Sequence, residues 1–385
     1  MHKILKDIII LTLFILLTTF LIWLPYLLRV SFLGFDFSGG FPLIYKNFDG
    51  LEYIIIAKTL YFPNLLAAIP QDFPASYFPA HFPGYSLLLL PFAPILGYLK
   101  SMVFVSLLFT ILSSITFYLL LVRFQLSSQP LWLSIVFTLL PARWVIVRSI
   151  GSAETVFIFF TLLAVYFYLS FEESLKYKFL YFTAIAASLA QLTRPPGILL
   201  FLALMVFPIL VCLKNKQFKN ALLVPIKYFP LFLVPLTLVG IFYWFQVSMG
   251  DFWAYFHTGD NIHLAFPPFQ VFDKNQFWVG DIWLEDIIYI FLLGFLASFS
   301  LLKSKLASAG FYVLIYLAAT SLVAHRDIAR YALPIFPFVL LAFRKQIESR
   351  EFKITMIVLA LGIYFYAQNF LLSNTAPVAN LVYFD

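Results

Sequence analysis

Two carboxylates stand close together in an otherwise apolar and aromatic stretch, NFDGLEYIIIAKTLY, at residues 47–61. Asp49 could take a proton from an attacking hydroxyl, as a general base does. The same spacing also suits a structural role, because Asp49 as N-cap and Glu52 three residues later would form a capping box. Both interpretations predict a helix that begins near residue 50. They differ in whether the Asp49 side chain serves chemistry or caps the helix.

Four arginines fall at helix ends and in tight turns rather than in basic clusters. They are Arg148, Arg194, Arg326 and Arg330. A guanidinium is always charged, and its fork of donors matches phosphate oxygens, so the four predict a phosphate-binding site. The alternative is that they reach lipid headgroups or pair with Glu154 and Asp327. The proline-flanked turns LTRPPG and DIARYALPIFP favour the binding role for Arg194 and Arg330, whereas Arg143 is assigned to the headgroup or ion-pair role.

The histidines raise a third chemistry, metal binding. His257, Asp260 and His263 recur at intervals of three, and imidazole with carboxylate could bind Zn²⁺ or Mn²⁺. This spacing is not a strong metal signature, so the prediction is no metal site and no cofactor, with a divalent ion as the alternative. The candidate supporting or acceptor-binding residues are Glu52, Tyr53, His81, Glu154 and His257.

The bilayer must be the main solvent for the elements that carry these residues. Of the 385 residues, 63% are hydrophobic and only 11% are charged, whereas about a quarter of a soluble domain is charged. Long apolar runs recur from end to end, and they are continuous rather than alternating, which disfavours a β-barrel. We predict one all-α polytopic membrane domain over residues 1–385. Its eleven predicted spans are 8–28, 101–122, 131–147, 154–171, 178–193, 197–213, 225–246, 286–302, 308–324, 329–343 and 354–371.

Basic residues predict which side of the membrane each connection faces. One set of alternate connections holds 15 basic and 5 acidic residues, and the other holds 10 and 13. The positive-inside rule makes the first set cytoplasmic, together with the amino terminus, and the carboxyl terminus external. Segment 81–100 must then not cross the membrane, and its prolines and glycines predict juxtamembrane helices instead.

The external connections are the second consequence of this topology. The largest are about 29–100 and about 247–285. The candidate carboxylates and arginines all fall on the external side. Charged groups near a membrane rarely gather on one side without a function, so we predict one external polar cavity.

At these residues the sequence resembles the GT-C superfamily of polytopic membrane glycosyltransferases. FDGLEYIIIAKTLY resembles its first-loop motif, in which an Asp precedes a Tyr and an Ala on a short juxtamembrane helix, here Asp49, Tyr53 and Ala57. HFPGYSLLLLPFAPILG is similar to the proline-rich stretch that ends that loop. RSIGSAETVFIFFTLLAVYFYL resembles the span that bears Ser-x-Glu, with Glu154 at the Glu position. LTRPPGILL and RYALPIFPFVLL match further recurrent segments, so the likeness covers nearly the whole chain.

The resemblance implies a GT-C-like module that transfers a sugar from a polyprenyl-phosphate donor to an acceptor hydroxyl on the outer side, usually with inversion. It implies that Asp49 is the catalytic residue, as the base or as the residue that orients the acceptor, and the four arginines predicted above would hold the donor phosphate. The Asp-Gly form of the motif is closest to the mannosyltransferase branch, so mannose is favoured. Many members, such as the protein O-mannosyltransferases, have adjacent Asp and Glu, whereas Gly50 follows Asp49 here and Glu52 departs from the pattern.

The expected partners are a polyprenyl-phosphate sugar, a glycan, lipid or protein acceptor, and lipids of the plasma membrane, with no nucleic acid. A nucleotide-sugar donor is disfavoured, because the sequence has no Gly-rich phosphate loop and no Asp-x-Asp pair. A transporter would predict inverted repeats and midplane charges, which the sequence does not show. A polysaccharide polymerase or ligase would share the spans, the large loop and the arginines, but would not need the early Asp motif.

Overall fold

The computed structural model describes residues 2–71, 73–279, 284–376, 378 and 380–385. These residues are mostly helical, and the prediction of an all-α polytopic membrane protein is confirmed. The helices of the first half are α1 (His2–Leu28), α2 (Pro42–Tyr45), α3 (Gly50–Thr59), α4 (Pro63–Leu66), α5 (Gly84–Leu89), α6 (Ala93–Leu96), α7 (Tyr98–Arg123), α8 (Pro130–Leu139), α9 (Ala142–Val147), α10 (Ala153–Ser174) and α11 (Tyr177–Thr193).

The second half continues the helical pattern. Its helices are α12 (Ile198–Lys214), α13 (Phe218–Lys227), α14 (Leu233–Met249), α15 (Glu285–Leu302), α16 (Ala307–Thr320), α17 (Ile328–Tyr331), α18 (Phe336–Ala342), α19 (Arg344–Ile347) and α20 (Arg350–Ser373). Short 3-10 helices are Ala75–Ala80, Pro195–Gly197, Phe229–Phe232, Phe256–Ile262, Gln270–Phe272, Phe277–Val279, Leu333–Ile335 and Val382–Phe384. Two antiparallel strands, β1 (Ser31–Phe32) and β2 (Phe35–Asp36), pair Ser31 with Asp36 and Phe32 with Phe35.

Within the described ranges, seven helices are long and apolar enough to cross a membrane. They are α1, α7, α10, α12, α14, α15 and α20, with 3-10 turns leading into α12 and α14. All seven correspond to predicted spans. The predicted span 178–193 is α11, a continuous helix of 17 residues. The side of the membrane that each connection faces stays a prediction.

Two other predicted spans are wrong as single helices. The segment 131–147 is α8 followed by α9, which are separated at Pro141, and the segment 329–343 is divided among α17, a 3-10 turn and α18. Proline lacks a backbone donor, and its ring clashes with the preceding turn, so it interrupts a helix. The predicted span 308–324 ends early, at Thr320. The breaks place Arg143 on α9 and Arg330 on α17, which are both short helices.

Short helices build the predicted first external loop, as the sequence indicated. Segment 81–100 forms α5 and α6 and not one continuous helix, and Gly97, at φ +78°, turns the chain from α6 into α7. The helix α3 packs against α5, where the Ser86 hydroxyl donates to the Tyr53 carbonyl at 2.8 Å. The loop is therefore a packed layer that fixes the orientation of α3.

The helix α10 lies at the centre of the membrane bundle, against α7 and α11. The facing side of α7 carries small hydroxyl residues, which allow close approach of helices in a bilayer. Ser113 on α7 donates to the carbonyl of Thr155 at 3.3 Å, so the two helices are also linked by a hydrogen bond near the start of α10. The first turn of α10 is thereby held rigidly beside loop one.

Candidate active site

A polar cavity of about 1000 Å³ opens among the short helices. The charged residues that line it are Lys46, Asp49, Glu52, Arg143, Arg194, Asp286, Arg326, Asp327 and Arg330. Tyr53 and His81 also line it, so seven of the ten sequence-predicted site residues meet in one cavity although the first and last are 281 positions apart in the chain. A pocket of this size can enclose most of a sugar phosphate.

Asp49 occupies the N-cap position of α3, but its side chain makes no capping hydrogen bond. Its Oδ2 instead accepts a hydrogen bond of 2.5 Å from Nη2 of Arg330, and Nε2 of His81 lies 3.9 Å from the same oxygen. The Arg330 guanidinium also lies over the ring of Phe48, 4.3 Å from its centroid. The capping-box interpretation of Asp49 is therefore wrong, and its carboxylate belongs to the cavity.

Glu154 lies beneath the cavity and anchors two of its arginines. The residue is 0% exposed. Its Oε1 accepts a hydrogen bond of 2.5 Å from Nε of Arg330 and forms an ion pair with Nη1 of Arg194. Its Oε2 accepts from the Ser152 hydroxyl at 2.5 Å. Glu154 therefore acts through the arginines, because both of its carboxylate oxygens are already bonded.

A hydrogen-bond network from three helices fixes the first turn of α10. Ser152 is the N-cap, and its hydroxyl accepts from the Glu154 backbone N–H at 3.3 Å. The Ser152 backbone N–H donates to the Ser106 hydroxyl at 3.0 Å and to the Tyr85 hydroxyl at 3.1 Å. Tyr85 in turn donates to the Met102 carbonyl at 2.7 Å. Residues of α5, α7 and α10 thus hold Glu154 in place.

Gly50 follows Asp49 at a position where close packing leaves no room for a side chain. A Cβ at Gly50 would lie 2.8 Å from Sδ of Met102 and 3.3 Å from the carbonyl oxygen of Gly151. A larger residue would push α3 away from the start of α10. The Asp-Gly pair therefore brings the Asp49 carboxylate close to the arginines that Glu154 holds.

His81 and Tyr53 form the wall beside Asp49. The Tyr61 hydroxyl donates to the His81 carbonyl at 2.7 Å, which fixes the backbone there. The edge of the Tyr53 ring packs against the imidazole, with centroids 5.4 Å apart. The Nδ1 of His81 is buried and has no hydrogen-bond partner among the described residues.

The pKa values of two carboxyl groups in the cavity, those of Asp49 and Glu52, are shifted in opposite directions. Burial disfavours ionised Asp49, but the Arg330 guanidinium, with His81 and Arg194, outweighs burial and holds the pKa of Asp49 well below its usual range. Burial also lowers the pKa of His81, against the attraction of Asp49. For Glu52, burial and the nearby Asp49 charge raise the pKa to about 8. At neutral pH Asp49 is ionised and can accept a proton, whereas Glu52, one helical turn away, is protonated and neutral.

Arg143 lines the cavity, which the sequence interpretation did not predict, although it makes the ion pair with Asp327 that this interpretation offered. Its Nη2 lies 3.2 Å from Oδ1 of Asp327, and its guanidinium lies 3.9 Å over the ring of Phe370. The Nε and Nη1 atoms are buried, yet neither has a hydrogen-bond partner within the described ranges. The signal that could have found it is Pro141, which ends α8 and places Arg143 on the short helix that follows.

The structure places Arg148 outside the cavity, contrary to the prediction. It is 1% exposed and donates to the Thr138 carbonyl at 3.0 Å and to the hydroxyls of Thr18 and Thr19 at 2.9 and 2.5 Å. The short helix α9 turns this side chain toward α1, so it cannot reach a phosphate in the cavity. Arg148 is a packing residue that ties α9 to α1.

The predicted histidine cluster is divided. His257 is exposed, lies outside the cavity lining and pairs through Nδ1 with Oδ2 of Asp251 at 2.6 Å. His263 lies in the cavity wall against His325, with ring centroids 4.5 Å apart. The side chain of Asp260 lies outside the described residues. Among the side chains that are described, no group of three or more His, Cys, Asp or Glu could hold a metal ion. The absence of a cofactor stays a prediction.

The architecture is similar to that of a known membrane protein, ArnT from Cupriavidus metallidurans, in a crystal structure bound to undecaprenyl phosphate. The similarity covers 90% of this chain, with a TM-score of 0.58 and 13% sequence identity. The likeness extends to the helical fold as a whole, an all-α polytopic membrane architecture. The predicted all-α polytopic fold is thus confirmed, and the chain is a multi-pass membrane protein.

The chain covers 62% of the length of the ArnT structure. No protein-family model matches the sequence, and no curated protein matches it. The comparison therefore concerns the scaffold alone, and the chemistry has to be argued from the cavity.

Proposed function

We propose that this protein is a membrane glycosyltransferase that moves a sugar from a polyprenyl-phosphate donor to an acceptor hydroxyl, with inversion, on the extracytoplasmic side. The observation that carries the proposal is the Asp49 carboxylate in a cavity beside several arginines. The fold supports it, since the similar ArnT structure holds undecaprenyl phosphate. Mannose is the favoured sugar, from the Asp-Gly form of the first-loop motif.

The donor phosphate is assigned to the arginines of the cavity. Arg194 and Arg330 are oriented by Glu154, and Arg143 has two buried donors that no described group accepts. Arg326 is exposed at the cavity wall, with its guanidinium 5.9 Å from the centroid of Phe277. Arginine forks bind phosphate oxygens and stabilise the negative charge that grows on a leaving phosphate. A general acid is then unnecessary for the leaving group.

The proposed reaction is a single displacement at the anomeric carbon. The acceptor oxygen attacks that carbon and forms the new glycosidic bond. The bond from the carbon to the phosphate oxygen breaks, and its electron pair leaves with the polyprenyl phosphate. The acceptor proton goes to Oδ of Asp49, which acts as the general base. All atoms and charges are accounted for without another reactant.

The contact between Arg330 and Asp49 suggests how donor binding prepares the base. While Nη2 of Arg330 donates to Asp49, the carboxylate is a poor base, because its pKa is held low. A donor phosphate competes for the same guanidinium. When the phosphate draws Arg330 away, the basicity of Asp49 rises, so the base becomes effective only in the presence of donor.

The proposal is tested with the full chain in lipid nanodiscs and a panel of undecaprenyl-phosphate sugars, among them mannose, glucose and N-acetylglucosamine. The readout is free undecaprenyl phosphate and the anomeric configuration of the product. Water serves as the acceptor where no other acceptor is used. We expect one donor to be consumed, with inversion, and Arg194→Gln to weaken donor binding. Arg123→Gln is the matched control, because Arg123 pairs with Glu173 at the surface.

The possible results separate the classes of protein. Consumption of a donor sugar supports transfer, and retention of anomeric configuration would contradict the single displacement. Transfer of whole glycans instead of single sugars would favour a polymerase or ligase. A folded protein that neither binds nor consumes any donor of the panel would contradict the proposal.

A further inference from the structure

Glu52 is a buried carboxyl group of the cavity that the proposed displacement does not use. It lies on α3, three residues after Asp49, and its side chain lines the cavity. The residue is 8% exposed, and its Oε2 has no hydrogen-bond partner within the described part of the chain. Buried polar atoms in folded proteins almost always have a partner, so this unpaired oxygen in the wall of a cavity is available to hydrogen-bond a group bound there.

We propose that Glu52 is a neutral carboxylic acid that donates a hydrogen bond to a hydroxyl of the sugar held beside Asp49. The inference rests on the proposed function and names the part of the cavity that recognises the sugar. Glu52 then positions a substrate hydroxyl and takes no proton during transfer.

The neighbouring charges favour a hydroxyl over a phosphate at this position. Asp49 is ionised and lies one helical turn away, so it repels an anion placed against Glu52. A neutral carboxylic acid offers one donor together with acceptor lone pairs, and a sugar hydroxyl offers the same combination. The two groups can therefore satisfy each other. The phosphate is left to the arginines of the cavity.

The surrounding groups also explain why Glu52 is neutral at pH 7. The titratable and charged groups that act on it are Asp49 and Arg330, and Tyr77 faces it from the neighbouring 3-10 helix, while His81 lines the same cavity. Burial and repulsion by Asp49 outweigh the attraction of Arg330, which is already bonded to Asp49 and Glu154. The pKa of Glu52 is raised to about 8, so the group is protonated at neutral pH and loses its proton above about pH 8.

The test of the hydrogen bond compares wild type with Glu52→Gln and Glu52→Leu in nanodiscs, with a polyprenyl-phosphate sugar that the wild type consumes. Gln keeps an N–H donor and cannot ionise, whereas Leu has a similar size and no donor. We expect kcat/KM of wild type to fall above about pH 8 and that of Glu52→Gln to stay level there. Below about pH 8, Glu52→Leu should raise KM about three- to tenfold relative to wild type, with a smaller effect on kcat, and the difference should shrink above that pH as Glu52 loses its proton.

A second measurement tests the charge of Glu52 without turnover. The native group stays protonated up to about pH 8, whereas an unfolded Glu ionises near its ordinary pKa of 4.5. Folding therefore binds a proton between these values, and wild type loses stability as pH rises through that range. The thermal midpoint of Glu52→Gln minus that of wild type should therefore increase from about pH 5 to pH 8 and stay constant above pH 8.

The outcomes distinguish this inference from the function on which it rests. A constant difference in thermal midpoint over that pH range would overturn the neutral state of Glu52. Equal KM values for Glu52→Gln and Glu52→Leu, in a protein that turns over, would overturn the hydrogen bond and leave the glycosyltransferase proposal intact. Absence of any donor turnover in wild type would overturn both the function and the ligand assigned here.

Discussion

Replacing Glu154 by Gln is expected to lower the free energy of unfolding by about 3–5 kcal/mol, the usual cost of removing one partner from a buried ion pair. The carboxylate is 0% exposed and accepts from Nε of Arg330 at 2.5 Å while it pairs with Arg194. Gln keeps the size of the side chain and loses the charge. Asp49 would then be left to balance two largely buried guanidinium groups.

The matched control is Glu173→Gln, which makes the same chemical change in a surface ion pair. Its carboxylate lies 3.0 Å from Arg123, and the two side chains are 47% and 51% exposed. Such a pair contributes about 0–1 kcal/mol, because water screens it. Unfolding in nanodiscs, followed by tryptophan fluorescence at one scan rate, compares both variants with wild type. A loss for Glu154→Gln no larger than that for Glu173→Gln would refute the reasoning.

Five substitutions test the cavity and the packing around it. Arg148→Leu should leave the affinity for undecaprenyl phosphate unchanged in folded protein, whereas Arg194→Gln should weaken it about tenfold or more; equilibrium binding decides. Arg143→Gln should also weaken it, since two buried donors are lost, and unchanged affinity would remove Arg143 from the phosphate site. Gly84→Ala should cost about 1–3 kcal/mol, because its Cβ would lie 2.8 Å from the backbone of α11. Gly240→Ala meets nothing within 4 Å and should be neutral or slightly stabilising, so equal thermal midpoints for the two would contradict this.

Prolines, glycines and helix-capping residues in the sequence predicted where several helices begin and break. The charge bias required segment 81–100 not to cross the membrane, and its prolines and glycines break it into α5 and α6. The helix beginning near residue 50 was equally local, since Asp49 stands at the N-cap position of α3. The same logic failed at Pro141, where a span predicted to be continuous is two helices.

Long-range contacts explain what the sequence could not decide at Asp49. A capping box depends on residues that are neighbours in the chain, and the pattern was present. The Asp49 carboxylate instead accepts a hydrogen bond from Arg330, 281 positions away. A charged guanidinium is a stronger partner than a backbone N–H, so the tertiary contact wins over the local one.

Arg143 on α9 and Arg148, which directly follows that helix, show a second case in which the sequence could not decide the role of a side chain. Arg143 and Arg148 both appeared to be external groups at a helix end. Five positions on an α-helix turn by about 140°, so the two side chains leave on nearly opposite faces. One meets the cavity and the other meets α1. The sequence gives the angle between them but not which face the rest of the fold turns toward the cavity.

The central claim is that the Asp49 carboxylate takes the acceptor proton, and it is tested most directly by the turnover of Asp49→Asn with a saturating polyprenyl-phosphate sugar. Asparagine has similar size but cannot act as the base, so turnover should fall by a factor of about 100 or more, while the donor remains bound to the arginines. Asp36→Asn, a change at an exposed carboxylate that bonds Ser31 and Ser38, should keep wild-type turnover. Equal turnover in Asp49→Asn and wild type would contradict the account.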